Sequence, residues 1–358
     1  MRWLSDPTVR HLRRVAEWPD LGETKYRLLD ELGRGGMGAV YLAEDTVLGR
    51  HVALKVVATG AAGGGTAERL WNEARVLARL EHPGIVPVHD AGALPDGRIF
   101  YAMKRVDGRR LDELVRDLPL LERLRAFQRL CEPVAFAHAR GVVHRDLKPE
   151  NVMVGPFGEV LVMDWGVAKR RDDAGRAAAG PPGEGRGDGP VAAPTDTAHG
   201  TVLGTPAYMA PEQARGDVER VDARADVYAL GAILYYMLTG RPPGPTGAVD
   251  EAETRTWPAY AGPRPGPITP PRRLVASVPA ALEAVCLKAL ADAPEDRYPG
   301  AQELAADVAR FLEGASVSAY PEGLLRRARR LGAAYRAPLL LILAYVIMRA
   351  LLLVLARV

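Results

Sequence analysis

Three side chains that could catalyse phosphoryl transfer lie close together near the middle of the chain. Asp146 offers a carboxylate base, Lys148 a compact cation and Asn151 an amide that can bind a metal ion. Short apolar, β-prone segments at residues 142–143 and 152–154 flank this charged run. The run is therefore predicted to be a loop held at both ends by strands. Transfer of a phosphoryl group to a hydroxyl needs a base, a cation and a metal site, and this loop carries a residue for each.

A glycine-rich segment near the N-terminus could bind phosphate through its backbone. Gly33, Gly35 and Gly38 would let backbone amides approach phosphates without side-chain clashes. A dinucleotide-binding turn is the alternative, but it needs a helix after the glycines and an acidic residue about 20 positions later. Here a strand is predicted over residues 40–43, and the later position is Lys55 in a further predicted strand. The pattern favours a phosphate-binding loop between strands.

Both segments resemble motifs of the protein kinases. Residues 144–151, His-Arg-Asp-Leu-Lys-Pro-Glu-Asn, are similar to the catalytic loop of that family, and the Lys-Pro-Glu form resembles the Ser/Thr branch. Asp164-Trp165-Gly166 supplies a second carboxylate, as the family requires for magnesium, and residues 204–212 resemble its GT-x-x-Y-x-APE segment. The resemblance covers residues 26–313. It is to the bacterial Hanks-type Ser/Thr kinases, particularly those with a cytoplasmic kinase domain and a membrane segment.

The resemblance implies an α+β, bilobal protein kinase fold over residues 25–313. A β-rich N-lobe would span residues 25–106 and a mainly helical C-lobe residues 107–313, with ATP between them. The implied reaction is transfer of the ATP γ-phosphoryl group to Ser or Thr hydroxyls of protein substrates. The implied cofactors are ATP and Mg²⁺ or Mn²⁺.

The catalytic roles of the family can be carried over to the matching positions of this sequence. Asp146 would accept or orient the hydroxyl proton, and Lys148 would neutralise the γ-phosphate. Asn151 and Asp164 would bind magnesium. These four residues define the expected catalytic and metal-binding centre.

The nucleotide-binding roles fall mainly on the predicted N-lobe. Lys55 would position the α- and β-phosphates, oriented by Glu73 on a helix that apolar periodicity predicts over residues 68–80. Lys104 stands where the family often has an acidic residue, which leaves only its side-chain contribution in doubt. The implied ATP-binding positions are Leu32, Gly33, Gly35, Gly36, Gly38, Val40, Ala53, Lys55, Met103, Lys104 and Val106, with Met103 as gatekeeper and residues 104–106 as hinge.

Seven further positions match residues that support the site in the family. Arg145 would meet a phosphate on the activation segment, Thr205 would hydrogen-bond near Asp146, and Asp226 would hold the catalytic-loop backbone. Trp165 replaces the more usual Phe and would pack under the N-lobe helix. The seven are His144, Arg145, Trp165, Thr205, Glu212, Asp226 and Arg297, of which Glu212 and Arg297 would form a largely buried ion pair.

An insert in the activation segment is predicted to be disordered. Residues 171–200 are mostly Ala, Gly, Pro and small polar residues, which cannot bury enough apolar area to offset the entropy of ordering. Autophosphorylation is predicted at Thr195, Thr197 or Thr201, where a phosphate would order the segment through Arg145.

Charge, cysteine content and the N-terminal segment limit the other partners and locations that the protein could have. The 358 residues carry a net charge of +3, which gives no sign of a nucleic-acid partner. Cys131 and Cys286 stand far apart in apolar patterns and are predicted to be buried thiols in a reducing compartment. Residues 1–24 are predicted to form a helical extension on the N-lobe, without the apolar region of a signal peptide.

An apolar segment, residues 338–356, follows the kinase-like region and carries one charge, Arg349. Since about 20 residues span the hydrocarbon core, the segment is predicted to be a single transmembrane helix. Arginines in the basic juxtamembrane segment, residues 314–337, would contact anionic lipid and keep the kinase domain cytoplasmic at the cell membrane. A buried or surface-lying helix is the alternative. Arg349 would face a partner helix or extend to the interface, which favours a homodimer.

Two other functions compete with an active kinase. A pseudokinase acting as a membrane-tethered scaffold would lack Lys55, Asp146 or Asp164, and all three are present. A generic nucleotide sensor would explain the glycines but not residues 144–151.

Overall fold

The computed structural model describes residues 18–35, 38–57, 65–165, 169–170, 206–217, 220–244, 267–320, 341–342, 344–349 and 352. The described elements form a small β-rich lobe followed by a larger, mainly helical lobe. The predicted bilobal α+β architecture is thereby confirmed.

Five antiparallel strands and one helix build the small lobe. The sheet has the order β1-β2-β3-β5-β4, so β1 and β4 are its edges. Helix α1 packs on the sheet, mainly against β5 and β4. The elements are β1 (Tyr26–Gly35), β2 (Gly38–Asp45), β3 (Arg50–Val57), α1 (Gly65–Leu77), β4 (Val88–Ala93) and β5 (Ile99–Lys104).

The two faces of this sheet have different functions because side chains alternate along each strand. Tyr41, Leu54 and Phe100 point to one face and form a buried cluster that Leu21 covers. Trp18 packs edge-on against Tyr41 at 6.4 Å between ring centroids. The other face is turned toward α1 and the large lobe, and it carries the polar residues of the site.

The large lobe combines helices with two small sheets, of order β6-β8-β9 and β10-β7. Short 3₁₀ turns occupy Pro149–Asn151, Pro206–Tyr208 and Pro294–Asp296. The other elements are β6 (Arg109–Arg110), α2 (Leu111–Leu114), α3 (Leu120–Ala139), β7 (Val142–Val143), β8 (Val152–Val154), β9 (Val160–Val162), β10 (Lys169–Arg170), α4 (Pro211–Ala214), α5 (Ala223–Thr239), α6 (Pro271–Leu274), α7 (Ala280–Ala289) and α8 (Ala301–Leu312).

Helix α5 is the centre of the large lobe. Residues 225–238 are all buried, as expected for a helix that is apolar on every side. It contacts α3, α7 and α8. Its start is fixed by the side chain of Asp222, which accepts a hydrogen bond from Arg224 N at 2.8 Å, and its end by Gly240 in the left-handed conformation.

A non-covalent contact joins the lobes in addition to the chain that leaves β5. Val162 N donates to Gly84 O at 2.8 Å, and Ile85 forms an isolated parallel bridge with Val162. A Cβ on Gly84 would lie 2.9 Å from Cγ of Pro133 in α3, so glycine permits this close approach. The segment before β4 is therefore attached to the large lobe.

Element boundaries differ from the prediction where tertiary contacts decide them. The strand predicted over residues 85–90 begins at Val88, because Ile85 pairs with Val162 of the other lobe. The helix predicted over residues 68–80 runs from Gly65 to Leu77 and closes in a tight turn, in which Leu80 N donates to Leu77 O at 3.0 Å.

The predictions for the termini and the insert fall largely outside the described residues. This applies to the helix in residues 1–24, described only from Trp18, and to the whole of residues 171–200. Residues 338–356 are described at 341–342, 344–349 and 352, where they are helical. Within the part of the chain that the structure describes, no helix has both the length and the apolar character needed to cross a membrane.

Candidate active site

A buried carboxylate of α5 shapes the loop that carries the predicted catalytic residues. Asp226, in the first turn of α5, accepts hydrogen bonds from His144 N and Arg145 N, each at 2.8 Å. It also lies 2.8 Å from His138 Nε2 of α3. Burial raises the pKa of the Asp226 carboxyl, but these partners outweigh burial and hold the pKa below its usual range. Arg145 adopts φ of 70°, a left-handed conformation that these bonds maintain.

Asp146, Lys148 and Asn151 converge on one another. Lys148 Nζ donates to Asp146 Oδ2 at 2.9 Å. The 3₁₀ turn at Pro149–Asn151 brings Asn151 back, so that its Nδ2 donates to Asp146 O at 2.8 Å and to Oδ2 at 3.3 Å. These bonds use the amide nitrogen and fix the amide without using its oxygen. A carboxylate, a cation and an amide oxygen are thus presented together.

His144 links this loop to the segment that follows β9. Its Nε2 lies 3.0 Å from Met163 O, and its Nδ1 lies 3.3 Å from Asp146 N. The backbone amide can only donate and the carbonyl can only accept, which assigns the ring proton to Nε2. The ring also packs against Trp165 at 4.6 Å between centroids. His144 therefore fixes the position of the segment that carries Asp146 relative to the segment that carries Asp164.

Lys55 joins the two lobes at the site. Its ammonium donates to Glu73 Oε1 at 2.9 Å and Oε2 at 3.0 Å, and to Asp164 Oδ1 at 2.8 Å. Lys55 and Glu73 are buried, whereas the side chain of Asp164 is 47% exposed. A strand, a helix and the segment after β9 thus meet at one cation.

The pKa values of these groups follow from burial and from one another. Burial raises the pKa of Glu73, and the attraction of Lys55 opposes this without reversing it. Burial alone would lower the pKa of Lys55, but Glu73 and Asp164 raise it above its usual value. Burial raises the pKa of Asp164, yet Lys55 outweighs it, so the pKa of this carboxyl is lowered. The arrangement therefore favours a charged lysine beside an ionised Asp164.

Asn151 and Asp164 are suitable ligands for magnesium. They offer an amide oxygen and an exposed carboxylate, and hard divalent cations prefer oxygen donors. The described residues contain no group of three or more His, Cys, Asp or Glu side chains that could hold a metal ion. One amide oxygen and one carboxylate suit magnesium that is held jointly with phosphate oxygens, as is usual for this ion.

The predicted nucleotide-binding residues share one face of the small-lobe sheet. Val40 of β2 pairs with Lys55 of β3, and Ala53 pairs with Met103 of β5. Directly opposed residues, and those two apart on a strand, point to the same side. The remaining described positions border this face. Gly33, Gly35 and Gly38 lie at the β1–β2 turn, Leu32 is exposed before it, Lys104 is the last residue of β5, and Val106 follows that strand.

Trp165 is buried beneath the small lobe. It lies in the same apolar cluster as Leu70, Ala74 and Leu77 of α1. Its Nε1 donates to Val162 O at 3.3 Å, so the polar atom of the indole is satisfied. The residue fills space under the helix that carries Glu73.

Glu212 and Arg297 form a buried ion pair in the large lobe. Arg297 donates to both carboxylate oxygens, at 2.7 and 2.8 Å. The side chains are 2% and 0% exposed, respectively. This planar two-point contact ties the segment before α5 to that before α8.

Several predicted residues cannot be placed. Gly36, Thr205 and the three candidate phosphosites Thr195, Thr197 and Thr201 lie outside the described residues. Arg145, their expected partner, is described, and its Nε is buried without a hydrogen-bond partner among the described residues.

Three residues that the sequence did not single out also contact the site. Tyr101 donates to Glu73 Oε1 at 2.9 Å, and His138 contacts Asp226. Gln213 Nε2 donates to Arg145 O at 2.9 Å. Tyr101 could have been found from strand periodicity, since it lies two residues before Met103. The sequence contains no corresponding signal for His138 or Gln213.

The chain is similar to known protein kinases over most of its length. The model of the protein kinase domain family matches residues 26–307. The serine/threonine-protein kinase PknB of Mycolicibacterium smegmatis is 40% identical over 298 residues, which are 81% of this chain and 43% of that protein. The serine/threonine-protein kinase PknD of Protochlamydia amoebophila is 34% identical over 316 residues, with 81% and 30% covered. The chain thus spans less than half the length of these curated relatives.

Solved structures show the same fold. The kinase domain of PknI from Mycobacterium tuberculosis is 29% identical and superposes with a TM-score of 0.58, covering 81% of this chain and 96% of that one. The residues matched by the family model, 26–307, contain both lobes and the site between them.

Proposed function

Because this chain belongs to the protein kinase domain family, we propose that it is a serine/threonine protein kinase that transfers the γ-phosphoryl group of ATP to protein hydroxyls. The observation that carries this proposal is the convergence of Asp146, Lys148 and Asn151 beside the Lys55–Glu73–Asp164 cluster. The names of the relatives, and the Lys-Pro-Glu sequence of the loop, support Ser and Thr as acceptors.

The residues of the loop act on the acceptor hydroxyl. Asp146 orients the hydroxyl and takes its proton as the new oxygen–phosphorus bond forms and the bond to the ADP leaving group breaks. Lys148, 2.9 Å from this carboxylate, offers its positive charge to the transferred group. Asn151 keeps Asp146 in place through two hydrogen bonds.

The residues between the lobes act on the nucleotide. Lys55, held by Glu73, orients the α- and β-phosphates. Magnesium, when bound through Asn151 and Asp164, neutralises charge on the phosphates. The apolar face formed by Val40, Ala53 and Met103 accepts the adenine.

Incubation with Mg-ATP followed by intact mass measurement tests the assignment. The wild-type protein should gain phosphates or phosphorylate an added protein at Ser or Thr. Asp146→Asn should lose transfer by at least about 10³-fold while its circular dichroism and melting temperature stay close to wild type. If the protein is instead an inactive scaffold, neither the wild-type protein nor Asp146→Asn should gain mass.

We further propose that phosphorylation of the activation segment regulates the enzyme. The observation behind this is Arg145, a half-buried arginine whose Nε lacks a partner among the described residues. Burial lowers the pKa of its guanidinium, so a nearby dianion would be stabilising. Phosphopeptide mapping of active protein should find phosphate at Thr195, Thr197 or Thr201. Active protein unmodified at all three would contradict the proposal.

We also propose that residues 338–356 anchor the kinase to the cell membrane, with the kinase domain in the cytoplasm. Support comes from the apolar sequence, the arginines before it, and large apolar side chains that are exposed at the described positions, among them Leu341 at 72%. Contact of the basic segment with anionic lipid, and a homodimer through Arg349, are part of this proposal.

A further inference from the structure

A tyrosine of the central sheet shares the carboxylate that holds the nucleotide lysine. Tyr101 of β5 lies directly opposite Lys55 of β3, so both side chains point to the face that α1 covers. The Tyr101 hydroxyl donates to Glu73 Oε1 at 2.9 Å, the oxygen that Lys55 also contacts at 2.9 Å. Two adjacent strands therefore hold one carboxylate of α1.

The hydrogen bond from Tyr101 to Glu73 is important because Lys55 must also bind the nucleotide phosphates. An ammonium has three N–H donors. Glu73 Oε1 and Oε2 belong to one carboxylate and can share a single N–H, and Asp164 Oδ1 takes a second, at 2.8–3.0 Å. A movement of the ammonium toward the nucleotide phosphates therefore weakens its contacts with Glu73 and Asp164. The bond from Tyr101 to Glu73 does not depend on Lys55 and survives that movement.

Glu73 needs such a partner because it is buried. Its exposure is 2%, and that of Tyr101 is also 2%. A buried carboxylate that loses a donor carries a desolvation cost, which withdrawal of α1 into water would relieve. The charged groups that face Glu73 are Lys55 on β3 and, at longer range, Asp164 after β9. A neutral hydroxyl stabilises the carboxylate without competing for phosphate.

We propose that Tyr101 is a positioning residue that keeps Glu73, and with it α1, in place while Lys55 turns toward the nucleotide phosphates. This inference rests on the proposed kinase function. It assigns to the hydroxyl of Tyr101 a role separate from the packing of its ring.

Tyr101→Phe tests the inference because it removes the hydroxyl and keeps the ring. A matched control is Tyr26→Phe in the same lobe, since Tyr26 is also buried and donates to a carboxylate, Asp90 Oδ2, at 2.9 Å. Tyr101→Phe should lower kcat by about ten- to hundredfold, the effect of one hydrogen bond to a charged group, with a smaller change in KM for ATP. Tyr26→Phe should leave kcat unchanged.

A double-mutant cycle with Glu73→Gln separates positioning from general destabilisation. Tyr101→Phe should have less than about a twofold effect on kcat in the Glu73→Gln background, because both changes act on the same contact. Independent effects that multiply, or a kcat for Tyr101→Phe equal to that of Tyr26→Phe, would overturn the proposal.

Amide hydrogen exchange of α1 tests the same role without turnover. Tyr101→Phe should raise exchange across residues 65–77 by about threefold or more over Tyr26→Phe, since Glu73 loses a fixed donor. Equal exchange in the two variants would contradict the positioning role. If the wild-type protein gains no phosphate while Tyr101→Phe still exchanges faster than Tyr26→Phe, the kinase proposal is refuted and the positioning role of Tyr101 is not.

Discussion

Arg297 uses all five of its guanidinium N–H groups inside the large lobe. Two donate to Glu212, and the others donate to the carbonyl oxygens of Ala291, Arg224 and Asp292 at 2.8–2.9 Å. The guanidinium also lies 5.0 Å from the ring centroid of Tyr228. A buried cation is stable only when its donors are satisfied, and here each donor has an acceptor.

Removal of the Arg297 side chain should therefore destabilise the folded protein strongly. Arg297→Ala leaves Glu212 buried without its partner and is expected to lower the free energy of unfolding by about 3–5 kcal/mol. Urea denaturation provides the measurement, and Arg273→Ala, an exposed position on α6, is the control. A midpoint for Arg297→Ala within experimental error of the control would show that the ion pair contributes little.

At the scale of elements, α5 fixes the catalytic loop through Asp226. Asp226→Asn replaces one carboxylate oxygen, which accepts hydrogen bonds, with an amide nitrogen, which can only donate them. His144 N and Arg145 N therefore cannot both keep their acceptor. We expect kcat to fall by about ten- to hundredfold with a smaller change in KM. The control is Asp222→Asn at the N-cap of the same helix, which should retain kcat.

Helix α8 holds the chain that follows it through one buried carboxylate. Asp307 accepts hydrogen bonds from the Tyr298 hydroxyl, Arg310, Ser318 N, Ser318 Oγ and Ala319 N, at 2.6–3.1 Å. Burial raises the pKa of this carboxyl, but these donors outweigh burial and lower it to about 2. The ionised carboxylate is therefore the form that stabilises the lobe.

The expected pH dependence follows from that lowered pKa. A group whose pKa falls from 3.8 when unfolded to about 2 when folded stabilises the protein above pH 3.8. This stabilisation is lost as the pH falls from about 4 toward 2. Asp307→Asn should cost about 2–4 kcal/mol of unfolding free energy at neutral pH. The difference in unfolding free energy between wild type and Asp307→Asn in urea should narrow between about pH 4 and pH 2, and a constant difference would contradict the assignment.

The sequence predicted the elements and motifs that depend on local pattern, and missed contacts that depend on packing. The loop of residues 144–151, the glycine turn and the buried helix α5 follow from residue types and periodicity. The Tyr101–Glu73 bond joins residues 28 positions apart on a strand and a helix, and no local pattern encodes it. The role of Asp307 likewise appears only when the chain folds back along α8.

At the scale of the whole molecule, the proposed anchor gives a direct prediction. The full chain should remain in the membrane fraction after carbonate extraction, and protease added to inverted vesicles should digest the kinase domain. A chain ending at Tyr320 is the matched control, because the last described contacts of the large lobe are made by residues 317–320. This shorter protein should fractionate with the soluble proteins. Release of the full chain by carbonate would overturn the proposal.

The contact of Gly84 with Val162 beside Pro133 also constrains how the cleft can open. Together with the chain that leaves β5, it fixes the small lobe to the large one at two points on one side of the cleft, and opening would also break the Lys55–Asp164 contact. A rigid body attached at two points can rotate only about the line between them. The cleft therefore opens by a hinge rotation about that line. The sheet order makes β1 the far edge, about 19 Å from β4 at 4.8 Å per strand. With this lever arm, a rotation of about 10° would move the glycine turn by about 3 Å, while Asp164, two residues beyond the pivot at Val162, would hardly move.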